Sequence, residues 1–365
     1  MPEVLGNRAL GRALLARQHL LEPAELTPEQ LIGHLVGLQA QAADPPYYGL
    51  WSRLRAFAPE QLSALVEQRA VVRIGLQRGT IHLVGAEDCL TLRPLLQPVL
   101  DQALRNTFGK RLTGLDLDAL AERGRELVEA EPRTFQELGA LLGAEHPDRD
   151  PAALAQAIRA RLALVQVPPR GLWRTSGSAA HTTAEHWLGR PLAAGSLDRT
   201  VLRYLAAFGP ATVADVQKWS GLTRLAPVLA ALRPQLVEFR DEHGRTLYDL
   251  PEAPRPDPST PAPVRLVAPF DNLLLSHADR TRVLSEEYRP LVMTQNGIVL
   301  GSLLVDGLVA GAWQLTRARG AVRLRLRPFT ALGARVLREA EAEGERVLAF
   351  AAGEGESGEL VVEAD

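Results

Sequence analysis

At 365 residues the chain is too long for one ordinary hydrophobic core, so two to four domains are expected. With 46% hydrophobic and 23% charged residues it has globular proportions, and no apolar run reaches the roughly 18 residues that cross a bilayer, which excludes a helical membrane protein. The single cysteine, Cys89, excludes a disulfide framework, while the net charge of −2 hides a division: residues 339–365 hold nine acids against Arg346, leaving +6 on residues 1–338 and a polyanionic partner open.

The opening stretch "MPEVLGNRALGRALLARQ" has neither a continuous apolar core nor a small-residue cleavage site, so no secretory signal and a cytoplasmic chain are expected, with a helix near residues 7–18. Thr27-Pro28-Glu29-Gln30 forms a capping box that starts a helix burying Leu31, Leu35 and Leu38. At its far end "LQAQAADPP" sets Gln39 and Gln41 just before Pro45-Pro46. Positions two apart diverge by about 200° on a continuing helix, so both amides address one point only if the helix stops and the chain extends. The other reading is an exposed pair at a helix end. Tyr47, Tyr48 and Trp51 read as core, "PEQLSALVEQR" as a third helix, and "AVVRIGLQRGTIHLV" as a hairpin.

The layout then repeats in pattern. "TFQELGALLGAEH" and "DPAALAQAIRARL" read as helices, with "ALVQVPP" and "GLWRTSG" as their strands. Residues 198–250 give the clearest copy: a helix ending near Gly209, a second capped by Thr212 and closed by Gly221, a third capped by Thr223, then "QLVEFR" and "RTLYDL" around the turn "DEHG". Three helices and a hairpin make a winged helix. "PEAPRPDPSTPAP", residues 251–263, is too proline-rich for helix or central strand and reads as a linker or strap. Beyond it "GIVLGSLLVDGLVAGAWQL" carries an Asp-Gly hairpin signal, "AVRLRLRPF" alternates, and "ALGARVLREAEAEGERVLAF" is helical.

Tandem winged helices point to nucleic acid, because a helix and a hairpin engage a groove and the adjacent backbone together. Arg69, Arg73 and Arg78 lie in a stretch without acids, and Arg170, Arg174, Arg190, Arg199 and Arg203 face only Glu185 and Asp198. His181 and His186 stand five apart, which suits no common zinc motif, so no metal is expected. His181, Thr182 and Thr183 suit either phosphate contacts or a capping and core role. Ser276 and His277 beside an Asp do not make a triad, since chain neighbours lack the three-point geometry and no GxSxG elbow is present. Cys89 reads as a buried structural thiol.

With "GLQAQ" followed by "PPYYGLWSRL", then "RGTIHLV", "HTTAEHWLGRP" and "PFDNLLLSHADRTR" in that order, the sequence resembles the AlkZ/YcaQ-type winged-helix DNA glycosylases over most of its length. The resemblance implies an α+β fold of three tandem winged helices (1–110, 111–195 and 196–262) forming a C-shaped cradle for duplex DNA, plus a β-barrel-like C-terminal domain (263–365). It implies that Gln39 and Gln41 are the catalytic Gln-x-Gln pair, the form found in the AlkZ-like branch, where a related branch has Asp at the second place. It implies a DNA-facing hairpin at residues 72–84. DNA contacts are expected from Arg73, Arg78, Thr80, His82, Arg174, His181, Thr182, Thr183, Asn272, Ser276, His277, Arg280 and Arg282. The expected partner is double-stranded DNA carrying alkylated purines, met by a monomer without cofactor. No lysine lies near the motif in the chain, so a glycosylase without strand cleavage is expected. The rival reading is a non-catalytic winged-helix regulator, which would need dimer symmetry.

Overall fold

The computed structural model describes residues 2–318 and 320–363. Its organising element is a five-stranded antiparallel sheet in the order Leu38–Gln39, Ile81–Gly85, Val71–Gly75, Leu164–Gln166, His181–Thr183. The hairpin at residues 72–84 is therefore the middle of a sheet, not a free arm. Val71, Val72, Ile74, Leu83 and Val84 are all buried, as their β-branched and aliphatic character dictates for a central pair. "GLWRTSG" forms no strand. Pro168-Pro169 removes two ladder donors and Gly171 turns the chain at φ +94, so the partner of Leu164–Gln166 arrives only at His181.

The helices Leu197–Phe208, Val213–Ser220 and Ala226–Leu232 precede the antiparallel strands Val237–Asp241 and Thr246–Asp249, and Val4–Leu5 joins that sheet in parallel. The capping box at Thr212 and the left-handed Gly221 (φ +83) bound the middle helix as expected. The third helix is not capped by Thr223. It starts at Ala226 with Pro227 in its first turn, where a missing N–H costs nothing.

Residues 251–263 contain no helix or strand and act as a strap over the helix Asn7–Arg17. Their carbonyls take the guanidinium groups that helix presents, Arg8 Nε to Pro258 at 2.7 Å and Arg12 Nε to Thr260 at 2.6 Å. Arg17, fully buried on the same helix, makes a two-toothed pair with Asp249 at 2.6 and 2.8 Å.

The C-terminal sheet runs Ser357–Val362, Ala321–Pro328, Leu308–Ala318, Gly301–Val305, Arg265–Val267. It is open, not barrel-like: among the described residues its edge strands do not pair. The helix Ala334–Ala351 lies against it, burying Ala340, Gly344, Val347 and Leu348. Asp306-Gly307 makes the expected tight turn, with φ +48 and +82. Several of the tail acids are also not free charge. Glu359 meets Arg323, Glu363 meets Arg325, and Glu356 meets both Arg174 and Arg317. Arg323 and Arg325 of this sheet are thus matched at home, and the +6 of residues 1–338 overstates what faces a partner.

Tyr47 and Tyr48 are buried among Trp173, Trp313 and Phe350, and Trp51 packs on Phe350. This aromatic cluster ties the segment after the Gln-x-Gln motif to the C-terminal sheet.

Candidate active site

The helix Pro28–His34 is held at its start by the Thr27–Gln30 capping box, and it ends four residues before Leu38. Val36 (φ +53) and Gly37 (φ +97) break it. Gly37 is obligatory there, because a Cβ would sit 2.5 Å from Val84 Cγ1 and 3.1 Å from the Leu83 carbonyl. Leu38 and Gln39 then pair with Leu83 and His82, and the Ala40 N–H donates to the Ile81 carbonyl at 2.7 Å. The extended backbone sends alternate side chains to opposite faces. Leu38 and Ala40 go into the core, while Gln39 and Gln41 share the other side, Gln39 mostly covered and Gln41 exposed.

Both amides are oriented by partners that can only donate. Arg78 Nη2 donates to Gln39 Oε1 at 2.7 Å, and the Ile81 N–H donates to Gln41 Oε1 at 3.3 Å. The carbonyl oxygens must therefore face these groups, and each keeps a second lone pair for another donor. Arg78 sits at the hairpin tip with φ +57 and spans three elements: Nη2 also reaches Asn272 Oδ1 at 3.0 Å, and Nη1 reaches the Trp219 carbonyl at 2.6 Å. Asn272 in turn donates from Nδ2 to the Gly37 carbonyl at 3.3 Å. Burial, then the charge of Arg280, lowers the Arg78 pKa to about 10, which still leaves it a cation at neutral pH.

His82, directly across from Gln39, is fully buried and its Nδ1 lies 3.1 Å from the Thr80 carbonyl, so that nitrogen carries the hydrogen. Its Nε2 is 3.4 Å from Arg78 Nη2. Burial and then Arg78 push its pKa down to about 3, which keeps it neutral. Arg73 is buried beneath the motif, donating from Nη2 to the Ala40 carbonyl (2.7 Å) and the Ala42 carbonyl (3.2 Å), and from Nε to Gln166. It holds the motif backbone and does not face solvent, which removes it from the DNA contacts expected of it. Asp271 makes a buried two-toothed pair with Arg53 (2.8 and 2.9 Å) and caps the turn that carries Asn272. Three of the non-glycine residues with left-handed backbone, Val36, Arg78 and Phe270, flank this constellation, the kind of strain that collects at functional sites.

The remaining expected contacts separate into those near the motif and those that are structural. Thr80 Oγ1 bonds the Gln77 carbonyl within the hairpin turn. Arg280 anchors by Nε to the Leu274 carbonyl at 2.8 Å, two residues from Asn272. Arg174 is paired with Glu356. His181 stacks on Phe135 at 4.1 Å and Thr182 is buried; Thr183 caps the next helix and donates to Glu129. These three take the core and capping role, not the phosphate one. Ser276 is buried, His277 bonds the Phe208 carbonyl at 3.0 Å, and Arg282 bonds the Pro210 carbonyl at 2.9 Å, so none faces a ligand and no triad forms. Cys89 is buried, and burial raises its pKa to about 12. No cluster able to hold a metal occurs among the described residues.

Sequence reasoning missed the helix end at Lys218 and Trp219. The local chain around Gln39 contains no lysine, but the Arg78–Trp219 bond brings that helix end beside the motif from 180 residues away. The one signal was compositional, since Lys218 and Lys110 are the chain's two lysines.

A family model described as "DNA glycosylase AlkZ-like" matches residues 32–350. The interstrand DNA cross-link repair glycosylase of Streptomyces sahachiroi is 24% identical over 324 residues, covering 82% of this chain and 85% of that protein. The solved structure of the Streptomyces sahachiroi DNA glycosylase AlkZ superposes with a TM-score of 0.77 at 20% identity, over 99% of this chain and 100% of that one. The family match, which takes in most of the chain, makes the protein a DNA glycosylase. The chain belongs to the AlkZ-like DNA glycosylase family.

Proposed function

We propose that the enzyme hydrolyses the N-glycosidic bond of purines made cationic by alkylation at N7 or N3, including bulky adducts and cross-linked bases, with Gln39 and Gln41 positioning the attacking water. The observation that carries this reading is the shared orientation of two neutral, donor-fixed amides on one extended strand. A carboxamide is too weak a base to activate water, and forgoing a general base gives up a contribution of about 10²–10⁴-fold. A cationic base needs little help in leaving, so positioning and stabilisation of the oxocarbenium charge suffice. Gln41, exposed and held by one long bond, is the better water acceptor; Gln39, tied to Arg78, sets the angle. His82 is held neutral and buried, which supports a site without a proton donor for the leaving base.

The domain scheme that accompanies this reading is three tandem winged helices cradling duplex DNA, acting as a monomer in the cytoplasm. In a regulator there would be no reason for Arg78 to fix Gln39 and the Ile81 N–H to fix Gln41 while Arg73 holds the Ala40 and Ala42 carbonyls between and beyond them, which favours catalysis over a silent DNA-binding module. The test is release of 7-methylguanine against release of uracil from matched duplexes. Excision of the cationic base alone is expected, and comparable rates for both would overturn the reading.

A further inference from the structure

Arg78 and Arg280 raise a problem that the motif itself does not answer. Buried cations are normally paired with carboxylates, because an unpaired charge out of water is costly. Arg78 is half-buried, and among the described residues its bonds go to neutral oxygens, those of Gln39, Trp219 and Asn272, beside the His82 ring. Arg280 is 8% exposed and its protein bond is from Nε to the Leu274 carbonyl; among the described residues no carboxylate takes its two terminal nitrogens. Lys218, exposed in the last turn of Val213–Ser220, has no acceptor among them either.

These groups are brought together by the bonds that build the active site. Arg78 reaches one way to Trp219, adjacent to Lys218, and the other way to Asn272, two residues from the carbonyl that holds Arg280. Gly221 permits the approach, since a Cβ at that position would lie 3.1 Å from the Arg78 backbone nitrogen. Arg289 joins them from the side and is itself bonded to the exposed Glu286. Burial and then Arg280, Arg78 and Arg289 lower the Lys218 pKa, so these four cations feel one another. Glu286 is the acid that Arg280 feels; Asp215, on the same helix as Lys218, is turned away to Thr212 and the Ala278 N–H.

We infer that Lys218 and Arg280 grip one backbone phosphate of the DNA beside the nucleotide whose sugar faces Gln39 and Gln41. This rests on the glycosylase reading and names the subsite that sets the register of the duplex. It also resolves an electrostatic conflict. A bare cluster of cations would oppose the positive charge that develops on the sugar, whereas a phosphate seated among them offsets part of their field at the moment it matters. The same contact keeps the Lys218 amine protonated and occupied, so it forms no Schiff base with the abasic product.

The test uses a duplex carrying a tetrahydrofuran abasic analogue to fix the register, with one neutral methylphosphonate moved through the flanking positions. For the native chain, one position is expected to weaken binding about five- to tenfold at low salt. In Lys218→Gln the penalty at that position shrinks, and the dependence of log Kd on log salt falls by about one. Lys218→Arg restores both. Lys218 is exposed, so its replacement leaves the fold intact; Arg280→Lys tests the second cation with charge retained, and the penalty at the same position is expected to persist. A methylphosphonate penalty identical in native chain and Lys218→Gln at every position would overturn the inference, as would a borohydride-trapped adduct through Lys218 on a natural abasic duplex. If release of 7-methylguanine persists in either case, the glycosylase reading stands and the phosphate subsite alone fails.

Discussion

The central sheet has two edge strands, and both carry polar residues in a run that could contact DNA. At one edge Gln39 and Gln41 share the face away from the core, Gln39 covered and Gln41 exposed, each oxygen taking one hydrogen bond and able to take another. At the other edge His181, Thr182 and Thr183 are turned inward, the ring stacked on Phe135 and the last hydroxyl spent on a helix cap and Glu129. The difference lies in what covers each strand. The His181 edge is closed by the helix Leu117–Ala130 and the bridge to Arg133, while on the Gln39 strand the helix Pro45–Trp51 packs from the Leu38 side and the polar side is met by single side chains, Arg78 from within the hairpin and Asn272 from the C-terminal segment. An edge strand buried by a helix becomes core whatever its residues; one met by isolated donors can become a site.

The largest expected change that sharpens this contrast is at Asp271. Asp271→Ala leaves Arg53 buried and unpaired and should cost about 3–5 kcal/mol of stability, read by denaturant unfolding. Next is Arg78→Met, which frees Gln39 and Asn272 together. Loss of hydrogen bonds from a charged donor predicts a fall of about ten- to one-hundredfold in single-turnover excision at saturating DNA, so that the loss lies in the chemical step and not in binding. At the opposite edge Thr183→Ala should cost about 1 kcal/mol through the lost cap, while excision per folded molecule is unchanged. A defect in the chemical step there would erase the distinction between the edges.

The smallest effect concerns pH. His82, His181 and His277 are pushed down by burial first, to about 3, 4 and 3, below the unfolded value of 6.5. The unfolded chain therefore binds more protons as pH falls below about 6.5, so these residues destabilise the fold progressively on acidification and contribute a flat profile above it. Thermal midpoints across pH 5–8 should show that slope. Excision by folded enzyme between pH 6 and 8 should show no histidine ionisation, since His82 stays neutral throughout.

Much of this was legible in the residues themselves. The capping box at Thr27, the hairpin around Gly79, the Asp306-Gly307 turn and the helices of residues 197–232 follow from local rules that act within a few positions. So did the requirement that the chain extend at residues 39–41, because the geometry of a helix forbids two amides two apart from sharing a target. What was not legible is long-range. Nothing local says that Arg73 points inward, that the strand after Pro168-Pro169 waits until His181, or that Lys218 comes to the motif. Those depend on which carbonyls lie within reach once the sheet has formed. The resemblance pointed to Gln39 and Gln41 as the pair proposed to hold the water, and the fold supplied the reason they are oriented.

The most direct measurement is single-turnover release of 7-methylguanine from duplex DNA by the native chain, Gln39→Ala and Gln41→Ala, with circular dichroism to confirm folding. Loss of positioned donors and acceptors predicts a drop of about 10²–10³-fold in at least one variant, with binding of an abasic-analogue duplex retained. Unchanged excision in both would contradict the account.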